Sequence, residues 1–154
     1  LKNYHEEIES TLMKPAMLNH PSTIWARQSI HNTMWLFEHG VALCKEFEFR
    51  YGKEHGSYSR TLQTPMEYDA DSTLATPVSI AMFDEYRIDN KYGKHCWEYV
   101  IDSYRHYYLE GKWKFAEWRN ERMPNWWPKD HFKDKRNKEI MAFNERFGAS
   151  IELM

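Results

Sequence analysis

Apolar side chains recur at helical spacing in three stretches of this chain and lose that spacing between them. Ile30, Met34, Phe37, Val41 and Cys44 return at steps of three and four, which at 100° per residue gathers them on one side of a helix. The pattern predicts a long helix over about 23–51, with His20 held out of helical geometry by Pro21, Ser22 or Thr23 as the cap, Gly40 as an interior weak point and Gly52 as the stop. Trp97, Ile101, Tyr104, Tyr108 and Phe115 predict a second long helix over about 94–122, ended by the segment MPNWWP. Ile140, Phe143 and Phe147 predict an amphipathic helix near 134–147 within a basic tail, 129–154, with those three turned inward. Residues 3–13 suit a short helix ending before Pro15, and residues 56–90 read as a long central loop with a helical turn near 77–84.

These elements predict a mainly α protein. The expected form is a single compact helical domain over 1–154, whose two long helices pack together through Phe37, Val41, Trp97 and Ile101. A chain of 154 residues is long enough for one domain with a real core.

One side of the first long helix departs from the ordinary pattern. Trp25, Ser29, Asn32, Leu36, His39, Leu43, Glu46 and Arg50 follow at steps of four and three, well away from the apolar face. Solvent-facing positions favour Lys and Glu over Trp and Leu, and a dry second interface disfavours Asn, Glu and Arg, because unpaired buried polar groups are costly. Two readings follow. Ser29, Asn32, Glu46 and Arg50 hydrogen-bond a neighbouring helix, with Glu46 and Arg50 as an i,i+4 pair; or the stripe lines a ligand cleft under the 53–90 loop, since apolar walls with a few convergent polar groups make such a cleft. His20 before the helix and Lys53 and His55 after it add acid–base and phosphate-binding groups.

Composition narrows the chemistry. Net charge is −2, with 21 basic and 23 acidic side chains, so no global field attracts a polyanion and a nucleic-acid role needs a local basic patch. The aromatic fraction is 16%, with seven Trp and ten Tyr, enough to build a bulky core or to supply stacking surfaces. Cys44 and Cys96, the two cysteines, lie in helical apolar patterns and read as reduced buried thiols of a cytosolic protein. The spacing of His31 and His39 does not suit zinc, and the sequence has no HExxH, Gly-rich phosphate loop or GxSxG. No metal or cofactor is expected. No apolar run is long enough to span a membrane.

A second cluster, DSYRHYYLEGKWKFAEW, alternates Tyr104, Tyr107, Tyr108, Trp113 and Trp118 with Arg105, Lys112 and Lys114. Basic groups interleaved with aromatics are a footprint of phosphate-plus-base contact, and also of an aromatic core with a solvated basic edge.

The run NHPSTIWARQSIHNTMWLFEHGVALCKEFEFRYGKEH, followed by TPVSIAMFDEYR, SYRHYYLEGKWKFAEW and MPNWW, resembles a bacteriophage family of largely uncharacterised proteins, some labelled pyrimidine-dimer DNA glycosylase. The likeness covers roughly residues 13–127, and its motif order is NHPxxxWxRxSxxN, RYGKxH, YRxYYxxxK and PxWW. The matching positions are His20, Trp25, Arg27, Ser29, Asn32, Glu46, Arg50, Tyr51, Gly52, Lys53 and His55, then Tyr104, Arg105, Tyr107, Tyr108, Lys112 and Trp118. Phe47, Phe83 and Trp127 stand where the family carries Tyr, Pro and Phe, and the chain starts without the family's opening segment.

The resemblance implies a protein of the infected host's cytoplasm that acts on DNA or a nucleotide. A glycosylase or lyase of this kind extrudes a base and stabilises positive sugar character with a carboxylate. Glu46 is the candidate carboxylate, His20 and His55 the acid–base candidates, and Lys112 the candidate Schiff-base amine. Trp25, Arg27, Ser29, Asn32, Arg50, Lys53, Tyr104, Arg105 and Tyr108 would bind the substrate. Two other readings stand beside it: a non-catalytic nucleic-acid-binding protein, and a phage structural or host-interaction protein whose polar stripe docks a protein partner or a second copy.

Overall fold

A computed structural model describes residues 16–63, 74–89, 96–119 and 122–154. The protein is mainly α. Its α-helices are α1 (Pro21–Ala26), α2 (Ile30–Tyr51), α3 (Tyr58–Gln63), α4 (Trp97–Gly111) and α5 (His131–Phe147), with 3-10 turns at Asp84–Tyr86 and Trp113–Phe115; no strand occurs among the described residues. The expected helix over 3–13 and the middle of the 56–90 loop lie outside the described residues. None of the described helices is long and apolar enough to cross a membrane. The chain divides into two compact units, Leu1–Ala81 with Tyr92–Val100, and Met82–Lys91 with Ile101–Met154.

In the first unit, the helix expected over 23–51 is two helices. Pro21 occupies the first turn of α1, where its missing N–H is harmless, and His20 rather than Ser22 or Thr23 is the cap, its Nδ1 accepting from Ser22 N at 3.2 Å. α1 ends at Ala26. Ser29 is extended (φ −155°, ψ 155°), and its hydroxyl accepts the Asn32 N–H at 3.1 Å, so a fresh N-cap interrupts the chain. Thr33 seals the joint by donating to the Ala26 carbonyl at 2.7 Å. The stripe from Trp25 through Ser29 to Asn32 keeps its steps of four and three across the break, which is why spacing alone reads one helix. α2 ends where expected, at left-handed Gly52 (φ 66°).

The packing of this unit also differs from the expected core face. Ile30, Phe37 and Val41 are half-buried and Met34 is exposed. The side chains taken deepest are Trp25, Ser29 and Asn32, at 1–2% exposure, with Ala26 and Cys44 beside them in burial. The kink at 27–29 explains this: α1 turns Trp25 back over the start of α2, and the first three residues of the stripe become the inside. Trp25, Trp35 and Trp97 form an aromatic cluster, Trp35 touching each of the others at 5.6 Å between ring centroids, and His39 stacks on Trp35 at 5.0 Å. Trp97 thus meets α2 at Trp35, two residues before the expected Phe37 and six before Val41. Ile101, expected to share that packing, is 42% exposed.

In the second unit, α4 is shorter than expected because Lys112 leaves helical geometry (φ −121°, ψ 3°) and a 3-10 turn carries Trp113 inward to 6% exposure. The buried residues of α4 are Val100 and Ser103, with Tyr104, Tyr107 and Gly111 half-buried; of the expected 101/104/108 line Ile101 and Tyr108 are exposed, and so is Phe115. Gly111 admits the ring of Tyr86. A Cβ on Gly111 would lie 2.9 Å from it, and Tyr86 packs on Tyr107 at 5.0 Å while its carbonyl accepts from His106 Nδ1 at 2.9 Å. α5 begins a turn earlier than expected, and its first residue, His131, donates from Nε2 to the Leu109 carbonyl at 2.8 Å. Trp113 meets Phe132, and Trp127 is surrounded by Trp118, Trp126 and His131. Lys135–Glu110 and Lys114–Glu139 (2.6 Å) add ion pairs. Phe143 and Phe147, expected inward, are exposed and pack on each other at 4.7 Å; Ile140 is half-buried. α5 is therefore attached mainly through its first half, by His131, Phe132 and Lys135.

Candidate functional site

Trp25, Ser29 and Asn32 are brought together with a residue that sequence reasoning did not single out, Thr76. Trp25 Nε1 donates to the Thr76 hydroxyl at 3.0 Å and to its carbonyl at 3.2 Å. Asn32 Nδ2 donates to the Trp25 carbonyl and to Thr76 Oγ1, both at 3.0 Å, and Asn32 Oδ1 accepts from Thr76 N at 3.0 Å. Both amide hydrogens and the carbonyl of Asn32 are engaged, so it holds structure and has no donor left to offer a ligand. It pins the 74–78 segment against the α1–α2 joint.

The remaining stripe residues do not converge there. Glu46 lies fourteen residues beyond Asn32 on the same helix, about 21 Å along its axis. Glu46 pairs with Arg50, Oε1 to Nε at 2.7 Å, each side chain about a third exposed. This is the i,i+4 pair of the first reading. Lys53 is exposed beyond Gly52. His55 closes the turn after α2: its Nδ1 accepts from Ser57 N at 3.2 Å and lies 3.9 Å from the Cys44 sulfur, while its ring meets Phe47 edge-on. His20 is the α1 cap, and Arg27 donates to the Leu18 carbonyl at 2.9 Å. Cys44 and Cys96 are free thiols, and Cys96 is half-exposed rather than buried. Its thiol donates to Glu98, which holds that carboxyl below the usual range.

A concave surface of about 240 Å³ does open beside the Asn32–Thr76 bracket. Its lining includes Trp35 and Trp97 as aromatic wall, Met34 and Ala75, and His31 and Glu38 as side chains with free-standing polar chemistry. His31, Trp35 and Glu38 stand at i, i+4 and i+7 on α2, one line along one face. That spacing was available in the sequence. It was hidden because the stripe was traced through Trp25 and Asn32, which the break at Ser29 turns inward, leaving the neighbouring line to face the cavity. No group of three or more His, Cys, Asp or Glu side chains suited to a metal occurs among the described residues.

The second cluster lies in the other unit. Arg105, Tyr108 and Lys112 follow at i, i+3 and i+7, and Arg105 and Tyr108 are exposed. Arg105 reaches Asp102 at 3.5 Å and sits over the Trp126 ring at 5.6 Å. Lys112 lies over Tyr107 and Phe115 at 5.5 and 5.7 Å, and Lys114 over Trp113 at 5.3 Å. Tyr104 is half-buried. These contacts hold the cations against ring faces, with Lys114 also paired to Glu139 at 2.6 Å.

No family model, curated protein or solved structure matches the chain.

Proposed function

We propose that the protein binds a nucleotide or single-stranded nucleic acid without sequence readout, taking a base on the aromatic wall of the concave surface in the first unit. The observation that carries this reading is the wall itself: Trp35 and Trp97 together at a surface opening, with His31 and Glu38 beside them. Any base offers a π-face to such a wall, and its polar edge finds an imidazole and a carboxylate. Taken by itself, the second unit also holds Arg105 and Lys112 over ring faces, an arrangement suited to phosphate contact next to a stacked base. A net charge of −2 favours few, local phosphate contacts over duplex coating.

The binding reading is preferred to the glycosylase or lyase one because Glu46, the carboxylate expected to act, is engaged by Arg50 and lies far along α2 from the concave surface. Any chemistry at that surface would draw on Glu38 and His31. The reading invokes no metal or cofactor.

The test is fluorescence titration with a mononucleotide, a short single-stranded DNA and the matching duplex, at low and moderate salt. Saturable quenching of tryptophan emission by the single strand, weakening with salt, is expected. Absence of binding to all three at low salt would overturn the reading and return the concave surface to protein docking.

A further inference from the structure

Beyond α5 the chain reverses and runs back along it. Gly148 (φ 62°) ends the helix in the left-handed region, with Ala149 N returning to the Asn144 carbonyl at 3.2 Å. Two asparagines then grip the returning backbone. Asn144 Nδ2 donates to the Ile151 carbonyl at 2.8 Å and its Oδ1 accepts from Ile151 N at 3.0 Å. Asn137 repeats the grip on Met154, Nδ2 to the carbonyl at 3.4 Å and Oδ1 from the N–H at 2.7 Å.

The spacing is a geometric match. Seven helical residues rise about 10.5 Å, and three residues of extended chain span about 10 Å. A carboxamide every two helical turns therefore meets every third residue of the returning chain with both its donor and its acceptor. Ile140 and Met141 lie between the two asparagines, within 60° of them around the helix at 100° per residue, and give the row an apolar floor. Ile151, Leu153 and Met154 are each half exposed or more, so no side chain of the returning segment is deeply held. The segment is read through its backbone.

We propose that this face of α5 is a clamp for an extended peptide strand, with residues 151–154 as its resident occupant. Four hydrogen bonds to main-chain groups and no deep side-chain pocket make the clamp tolerant of sequence, with a preference for apolar side chains over Ile140 and Met141. A tethered occupant acts at an effective concentration of about millimolar, so a second peptide gains the site only when the resident strand lets go. The ligand class is thus an unpaired extended peptide segment, distinct from the nucleotide proposed for the first unit, and the clamp does not depend on that reading.

The experiment uses the whole chain. Ile151→Pro removes the N–H that Asn144 holds. The hexapeptide Ala-Ser-Ile-Glu-Leu-Met is titrated into this variant and into wild type, following the side-chain amide signals of Asn137 and Asn144 by NMR. Saturable shifts in Ile151→Pro at a peptide concentration at least tenfold lower than in wild type are expected, and loss of those shifts when the peptide's Ile nitrogen is methylated. In wild type, peptide at about millimolar concentration should speed hydrogen exchange of the resident Ile151 and Met154 amides, a measurement that stands if the variant misfolds. No saturable shift in a folded Ile151→Pro chain, equal binding of the N-methylated peptide, or wild-type exchange unmoved by peptide would overturn the proposal.

Discussion

Asn32 and Thr76, forty-four residues apart, satisfy one another: Thr76 N–H donates to Asn32 Oδ1 while Asn32 Nδ2 donates to Thr76 Oγ1, each at 3.0 Å. Trp25 completes the set by donating its indole N–H to the same hydroxyl. One hydroxyl and one carboxamide thus fix the α1–α2 joint and the 74–78 segment that flanks the concave surface.

Asn32→Ala leaves the Thr76 N–H without its acceptor and takes one of two donors from the Trp25 carbonyl, which keeps the Gln28 N–H. One unsatisfied buried group costs about 1–3 kcal/mol, so a loss of that size in unfolding free energy is expected in urea denaturation. Asn32→Asp keeps the acceptor, loses both donors and buries a charge, and is expected to be at least as damaging at neutral pH. A loss under about 0.5 kcal/mol for both, the ordinary range of surface changes, would show that the bracket is dispensable.

Ser103 is fully buried in α4, and its hydroxyl has no hydrogen-bond partner. Ser103→Ala removes the unpaired group, keeps the side chain small, and raises helix propensity. A gain of about 0.5–1.5 kcal/mol is expected, read as a higher urea midpoint with unchanged slope. Ser103→Val should lose stability instead, because it adds bulk and β-branching at a fully buried helix position.

Acid should loosen the second unit. The hydrogen bond from Lys135 holds the Glu110 carboxyl below its usual range against the opposing effect of burial, and the hydrogen bond from Lys114 does the same for Glu139. A depressed folded-state value means that the stabilisation is complete above the unfolded value of about 4.3 and is lost as pH falls below it. Both pairs are partly exposed, so the effect is modest and weakens with salt. Lys135→Met with Lys114→Met should lower the urea midpoint at about pH 5.5 and converge on wild type at about pH 3. An equal gap at both pH values would assign the loss to packing of the lysine stems.

How far the sequence carries the fold depends on which signal each element leaves. The mainly α class, the stop at Gly52 and the Glu46–Arg50 pair follow from periodicity, glycine and i,i+4 spacing, all local. The break at Ser29 does not disturb the steps of the stripe, so it shows only as a possible Ser-x-x-Asn cap. α3 lies inside a stretch whose glycines and small polar residues read as loop. The inward side of α4 is misplaced because it carries Ser103, fully buried, and Gly111, which lies against the Tyr86 ring, and small residues do not register as hydrophobic. The bracket at Thr76 is beyond reach of any local pattern: its partners are Trp25 and Asn32, and only the folded chain brings them within 3.0 Å. The site reading inherits that gap, since tracing the wrong line of α2 selects Glu46 over Glu38.

The concave surface gives the last prediction its sharpest form. If a base stacks on the wall, Trp97→Ala should weaken single-strand binding by about 5- to 150-fold, the equivalent of 1–3 kcal/mol for one stacked base. Trp97 is half-buried and sits outside the Asn32–Thr76 hydrogen-bond set, so this change separates binding from the fold better than Trp25→Ala, which removes a buried indole and its bonds to Thr76. Glu46→Gln should leave binding within about twofold, since it breaks an exposed pair worth about 0–1 kcal/mol far from the wall. Glu38→Gln should change the preference among the four mononucleotides, because the carboxylate can only accept while the amide both accepts and donates. Titration of the four nucleotides against wild type and these variants decides the matter. Equal binding by wild type and Trp97→Ala would remove the wall from the site and leave the Arg105, Tyr108 and Lys112 stripe of the second unit to account for any affinity that remains.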